Sequence, residues 1–211
     1  MVKGRVRSGP SIGERQFNSI RDAAIEEFSG LGYKATSIQA IADRAGVAKA
    51  NVHYYFKNKQ NLYSEVLSHI IELWNASFDD IKPEEEPAIA LDRLIRAKVN
   101  LSYTHASASR LFANEVIHGA DHLEHYLRND MRKWVREKSG IIQLWIDAEK
   151  MDAIDPAKLI FLIWSSTQHY ADFETQVLTI LNKAEYEPEM IDDIANFLSQ
   201  VILKGCGLKL P

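Results

Sequence analysis

The sequence predicts an all-α fold, and three observations carry that expectation. Apolar residues recur at three- and four-residue steps along nearly the whole chain, the period of a helix with one buried face. No segment sustains the two-residue alternation and β-branched enrichment of a strand. Glycine and proline are spaced so that they cut the pattern into about nine helical segments.

The first helix is expected from Ser11 to Ser29, with Phe17, Ile20, Ala24 and Phe28 on one face and Gly30 and Gly32 ending it. The second is expected from Ser37 to Ala45. There Thr36 followed three residues on by Gln39 matches a capping box, in which a hydroxyl takes an orphan amide proton and the longer side chain reaches back. Gly46 stops it. A third short helix covers Lys49 to Tyr55, and Asn58 is placed to cap a fourth that runs from Lys59 toward Phe78. Pro83-Glu84-Glu85-Glu86-Pro87 reads as a solvated connection, since two prolines flank a run of like charge. Further helices are expected from Ala88 to Tyr103, Ser107 to His118, and His122 to Lys150. Asp155-Pro156 is a cap and a first-turn proline opening a helix to Leu181, and Pro188 opens a last one to Lys204.

Composition narrows the class. A chain of 211 residues with 46% hydrophobic content can bury a full core. No run reaches the roughly 18 apolar residues of a membrane span, and Met1 to Pro10 is basic and glycine-containing, so a cytoplasmic protein is expected. Cys206, the single cysteine, excludes an internal disulfide and reads as a packed thiol. The net charge of −4 conceals a division: residues 1–63 carry +5 and residues 64–211 carry −9. A basic head on an acidic body is the pattern expected when one end faces phosphates. It sets the domain expectation of a DNA-binding head over 1–58 and a larger body over 59–211.

Thr36 to Phe56 has the layout of a helix-turn-helix: a capped short helix, a glycine turn and a second short helix. Ile38, Ile41, Ala42, Val47, Val52 and Phe56 supply the brace between the helices. Lys49, Ala50, Asn51, His53 and Tyr54 are left to face outward, able to meet base edges or phosphates in a major groove. Thr36, Ser37, Gln39, Lys57 and Lys59 flank that face and complete the expected DNA-binding set, with Lys3, Arg5 and Arg7 as a possible basic arm.

The run from Thr36 to Leu62, including Ile41-Ala42-Asp43-Arg44-Ala45-Gly46-Val47 and Tyr54-Tyr55-Phe56-Lys57-Asn58-Lys59, resembles the signature of the TetR family of transcriptional regulators. The resemblance implies a homodimer on double-stranded operator DNA, a third helix that reads bases, and Tyr54 and Lys59 at phosphates. Ala48 departs from it, since a hydroxyl residue commonly caps the recognition helix there. Leu159 to Phe173, with Ala108 to Phe112, is further similar to the family's regulators of pyrimidine utilisation, which respond to uracil and thymine. A flat ring needs an aromatic face and a few convergent donors and acceptors. Trp74 and Trp164 are the expected faces, Gln168 the residue for an imide edge, and Lys98, Ser102, Arg110, Asn114 and Glu115 further polar candidates. No cofactor is expected.

The penultimate and last helices carry the expectation of dimerisation, through the stripe Ile191, Ile194, Ala195, Leu198, Val201 and Ile202 and the apolar run Leu159 to Trp164. Two other readings compete. Ser165, His169 and Asp172 lie at helical spacing, but consecutive turns of one helix cannot converge as a hydrolytic triad, so no enzyme is expected. His118, His122 and His125 approach one face, yet Gly119 and Asp121 interrupt them, so no metal is expected either. A helical scaffold for protein partners would fit the acidic body, but it leaves the basic head unexplained. A TetR-type regulator of another small-molecule pathway remains the nearer alternative.

Overall fold

A computed structural model describes residues 11–78 and 81–211; Lys3, Arg5 and Arg7, the expected arm, lie outside them. Every element among the described residues is helical: α1 (Ile12–Ala35), α2 (Ile38–Ala45), α3 (Lys49–Phe56), α4 (Lys59–Phe78), α5 (Pro87–Thr104), α6 (Ala106–Ile117), α7 (Glu124–Tyr126), α8 (Arg132–Asp147), α9 (Pro156–Asp172), α10 (Glu174–Leu181) and α11 (Pro188–Gly205). A π-helical stretch, Leu127–Met131, joins α7 to α8 without a break. Two compact units divide inside α4, between Ser68 and His69.

In the first unit α1 begins with a capping box: the Ser11 hydroxyl accepts the Glu14 amide while the Ser11 amide donates to the Glu14 carboxylate. Those bonds hold the Glu14 carboxyl below its ordinary pKa. α1 runs past its expected end to Ala35, because only Gly32, at φ 74 and ψ 167, leaves helical geometry. α2 is capped by Ser37, whose hydroxyl accepts the Ala40 amide at 3.0 Å. The expected Thr36–Gln39 box is therefore corrected. Thr36 ends α1 instead, and the Gln39 amide donates to Asp43 at 2.8 Å. Gly46, at φ 66, ends α2 in the left-handed region, where glycine has no Cβ to clash. Ile20, Phe28, Ile41, Ala42, Val52, Phe56, Leu62 and Val66 make the core.

In the second unit α5 lies against both α9 and α11, and α9 also contacts α6 and α8. Leu91, Ile95, Leu111, Ile142, Ile163 and Leu203 are buried there, and Ser199 of α11 donates to Asp92 of α5. The connection before α5 is fastened rather than loose. Ile81 is buried, the Trp145 indole donates to the Pro83 carbonyl at 2.9 Å, Glu85 pairs with Arg93 at 3.0 Å, and Glu86 pairs with Lys150 at 3.0 Å.

Asp155 caps α9 as expected, accepting the Ala157 and Lys158 amides at 3.0 and 3.1 Å. The expected single helix to Leu181 breaks at Phe173, whose φ of −113 and ψ of 29 are not helical, and α10 starts afresh. Cys206 is buried, which pushes its thiol pKa up to about 11. No described helix is long and apolar enough to cross a membrane.

Candidate functional site

The first site is the outer face of α3. The helix forms because Val52 and Phe56, four residues apart, bury one side against the core, and Phe56 meets the Phe17 ring at 4.7 Å. That leaves Lys49, Ala50, His53 and Tyr54 exposed and Asn51 half-buried. Tyr54 is 81% exposed, so its ring and hydroxyl stand out from this face. His53 Nδ1 lies 3.0 Å from the Lys57 carbonyl, which can only accept, so Nδ1 carries the proton and Nε2 of the neutral ring is left as an acceptor. Lys57 is exposed at φ 64 and ψ −51, and Ser37 and Gln39 are exposed on α2. Ala48 starts α3 with no side-chain cap.

Two expected members of this face are placed elsewhere. Thr36 is 2% exposed, and its hydroxyl donates to the Glu27 and Gly32 carbonyls at 3.0 and 2.8 Å, closing the end of α1. Lys59 Nζ donates to the carbonyls of Tyr33, Lys34 and Thr36 at 2.9, 3.4 and 3.0 Å and lies 4.6 Å from the centroid of the Tyr33 ring. An ammonium has three protons, and all three are engaged at the negative end of α1. Lys59 is thus a clamp on α1 in this structure rather than a donor held out for phosphate.

The second site lies in the helical body. Trp74 is 3% exposed and Lys98 2% exposed, and Lys98 Nζ lies 5.9 Å from the centroid of the Trp74 ring. Burial lowers the Lys98 pKa to about 7, opposed by the charge of Asp172. Burial also raises the Asp172 pKa, opposed first by the Ser109 hydroxyl, which donates to it at 2.6 Å. Lys98 thus lies beside the Trp74 ring and is influenced by the charge of Asp172, which the Ser109 hydroxyl holds. The Trp74 indole Nε1 is buried without a hydrogen-bond partner, an arrangement that costs about 1–3 kcal/mol.

The remaining candidates divide. Gln168 is half-buried, one turn before Asp172 and one turn after Trp164, so the three share a stripe of α9. The Trp164 ring lies 5.7 Å from Trp134 of α8, tilted by 31°, and 5.7 Å from Phe161, contacts that engage it in packing between α8 and α9. Arg110 pairs with Glu174 at 2.8 Å and donates to Ser107 at 3.2 Å, at the rim of an open groove of about 710 Å³ that Asp172 also lines. Ser102 is buried but lines a separate void of about 60 Å³ with Thr167 and Tyr170, far below the roughly 300 Å³ of a small ligand pocket.

Asn114 is exposed, and Glu115 accepts from the amide and Nδ1 of His122 at 2.9 and 3.0 Å, fastening the turn after α6. Ser109 and Asp172 were missed as site residues, because only the chain's three-dimensional course brings α6 and α9 together.

The competing readings find no geometry. The Ser165 hydroxyl donates to the Leu162 carbonyl and the His169 ring stacks on Phe173 at 4.9 Å, while Asp172 is held by Ser109. No cluster suited to a metal occurs among the described residues.

Burial divides the expected dimer stripe. Ala195, Leu198 and Ile202 are buried within the subunit, because α11 turns that face to α5. Phe197 and Val201 on α11, with Phe161 and Leu162 on α9, are the exposed apolar residues, each more than half exposed.

A braced short helix that holds polar side chains out to solvent suits a DNA groove, and it is joined to a helical body in which Lys98 is buried beside Trp74. Residues 20–66 match the family described as bacterial regulatory proteins, tetR family, and residues 67–209 match the YcdC-like protein C-terminal region. The chain belongs to the TetR family and is a transcriptional regulator, not an enzyme. It is 36% identical over 187 residues to the HTH-type transcriptional regulator RutR of Escherichia coli O157:H7, spanning 89% of this chain and 88% of that one.

Solved structures share the fold. The ketosteroid transcriptional regulator KstR2 of Mycobacterium tuberculosis superposes with a TM-score of 0.68 at 16% identity, over 98% of each chain. AibR, solved with isovaleryl coenzyme A and operator DNA, superposes with a TM-score of 0.67 at 16% identity, over 88% of this chain and 97% of that one.

Proposed function

We propose that this regulator binds a palindromic operator as a homodimer, represses from it, and releases it when a pyrimidine base, uracil or thymine, occupies the helical body. The target would be genes of pyrimidine catabolism. The observation that carries the reading is the opposition on α3: Val52 and Phe56 are buried while Lys49, Ala50, His53 and Tyr54 face solvent. A packing helix has no use for that outer row; a major groove does. Asn51, Lys57, Ser37 and Gln39 complete the contact set.

The effector assignment is supported by the similarity to RutR, by Lys98 beside the Trp74 ring, and by Gln168 and Asp172 one turn apart on α9, residue types that offer donors, acceptors and an aromatic surface to a small polar ring. Dimerisation is supported by Phe161, Leu162, Phe197 and Val201, apolar side chains left uncovered on α9 and α11. Two-fold pairing through them can space two recognition helices by one DNA turn.

α4 is the proposed lever, since one helix carries Lys59 at its first residue and Trp74 fifteen residues on. A ligand that shifts Trp74 biases α4, and a coupling of about 1–3 kcal/mol changes operator affinity roughly 5- to 150-fold.

The test is fluorescence anisotropy of a duplex carrying an inverted repeat from the regulator's own promoter, titrated at several salt concentrations with and without uracil and thymine. Steep weakening with salt and release by either base are expected. Binding of duplex that ignores both bases would remove the pyrimidine effector and leave the operator reading standing; absence of duplex binding would remove both.

A further inference from the structure

We infer that His53 reads the operator as a hydrogen-bond acceptor: its Nε2 accepts from the exocyclic amino group of a base, adenine N6 or cytosine N4, in the major groove. The inference rests on the operator reading and assigns the chemistry by which one side chain of α3 selects sequence.

The turn that ends α3 sets the polarity of the ring. Lys57 leaves the helix at φ 64, its amide donates to the His53 carbonyl at 2.9 Å, and its own carbonyl lies 3.0 Å from His53 Nδ1. A carbonyl has no proton to give, so Nδ1 carries it, and the neutral imidazole keeps a lone pair on Nε2. Two bonds between the same two residues tie the ring to the backbone. Nε2, across the ring from Nδ1, is turned away from the carbonyl that holds it.

The neighbours of His53 put that lone pair on the wet face. His53 is exposed one turn after Lys49 and one turn before Lys57, and Ala50, three residues before it, is exposed too. The short side chain of Ala50 lets a duplex edge come close beside the imidazole. Lys49 and Lys57 bring ammonium donors, which suit phosphate oxygens and the O6 and N7 atoms of guanine. A lone pair suits neither, and it is repelled by thymine O4 as well. Adenine and cytosine donate through their amino groups, and each base pair carries one such group in the major groove, on one strand. His53 therefore senses which strand holds the amino group at its position. Inverting that base pair brings a carbonyl oxygen toward the place of the donor.

The test starts from duplexes that the full-length wild-type protein selects from a random pool, with fluorescence anisotropy at pH 8 as the readout. In the selected half-site each adenine is replaced in turn by purine, which lacks N6, and each cytosine by 2-pyrimidinone, which lacks N4. One such replacement should weaken wild-type binding about five- to tenfold and weaken His53→Ala by less than about twofold. Both proteins meet the same altered duplex, so the difference between them isolates the contact. On the unmodified operator His53→Ala should lose the same factor with an unchanged dependence on salt.

Two-bond ¹H–¹⁵N spectra of the wild-type imidazole give a readout that does not depend on a variant. They should show the proton on Nδ1 and none on Nε2, with the Nε2 resonance moving upfield when operator binds. A proton on Nε2 in the free or bound protein, a salt slope lowered by about one in His53→Ala, or amino groups whose removal costs both proteins alike would overturn the inference and leave operator binding intact. Failure of the wild type to enrich any duplex overturns both.

Discussion

The Lys59 ammonium lies 3.0 Å from the Thr36 carbonyl and 2.9 Å from that of Tyr33, so the first residue of α4 holds the last turn of α1. The contact joins residues 23 apart in sequence and is charge-assisted, with the ammonium at the carbonyl end of a helix. Lys59→Met should therefore destabilise the protein by about 1–3 kcal/mol in urea denaturation. The slope of operator affinity against salt should stay unchanged, because a lost phosphate contact would lower it by about one unit. A lower slope with unchanged stability would restore Lys59 to the DNA.

Ala48 begins α3 in extended geometry, φ −67 and ψ 143, without a side-chain cap. A serine there can accept the amide of the residue two or three along, so Ala48→Ser should raise stability by about 1 kcal/mol. The gain should appear as a higher midpoint in urea denaturation with an unchanged m-value.

Lys57 ends α3 at φ 64, which a residue with a Cβ adopts at a cost, and its amide donates to the His53 carbonyl at 2.9 Å. Lys57→Gly should be neutral or stabilising by up to about 1 kcal/mol. Lys57→Pro should unfold the head or cost about 3 kcal/mol or more, since proline fixes φ near −65° and removes the donor. Thermal denaturation of the two variants should bracket the wild type.

Lys98 gives a pH dependence with a definite sign. Its pKa falls from 10.5 to about 7 on folding because burial disfavours the ammonium. Below about pH 7 both states hold the proton and the burial penalty is fully present. Between about 7 and 10.5 the unfolded chain binds more protons, so stability from this group rises with pH, and it levels above that. Lys98→Met should remove that rise, and its stabilising effect should be largest at the acid end of the window. Urea midpoints for both proteins from pH 6 to pH 10 measure it; parallel curves would place Lys98 in water.

Much of the fold was written in local signals. α4 begins at Lys59, just after the expected cap Asn58, and Asp155-Pro156 and Pro188 opened α9 and α11 where a first-turn proline belongs. These boundaries depend on residues adjacent in sequence. What failed depended on contacts between distant residues or on near-equivalent local choices. Thr36 and Ser37 are neighbouring hydroxyl residues, and only the pull of the Glu27 and Gly32 carbonyls decides that Thr36 closes α1 and leaves the cap to Ser37. The break at Phe173 carries no glycine or proline to announce it.

The recognition face was legible because the alternation of Val52 and Phe56 with Tyr54 and His53 fixes which side of one helix is wet. Of the residues proposed for the effector, Trp74, Lys98 and Gln168 stand out in the sequence as residue types, while Ser109 and Asp172 do not. Those two stand 63 residues apart and acquire a common role only through packing.

The fastening of Pro83 and Glu86 bears on anyone wishing to attach a reporter to this protein. An acidic, proline-bounded stretch looks like the natural place to splice in an epitope or a fluorescent domain. Cutting there would release the Trp145 indole from its carbonyl and separate Lys150 from Glu86. An insert between Lys82 and Pro87 should prise α8 from the start of α5 and report damage rather than binding.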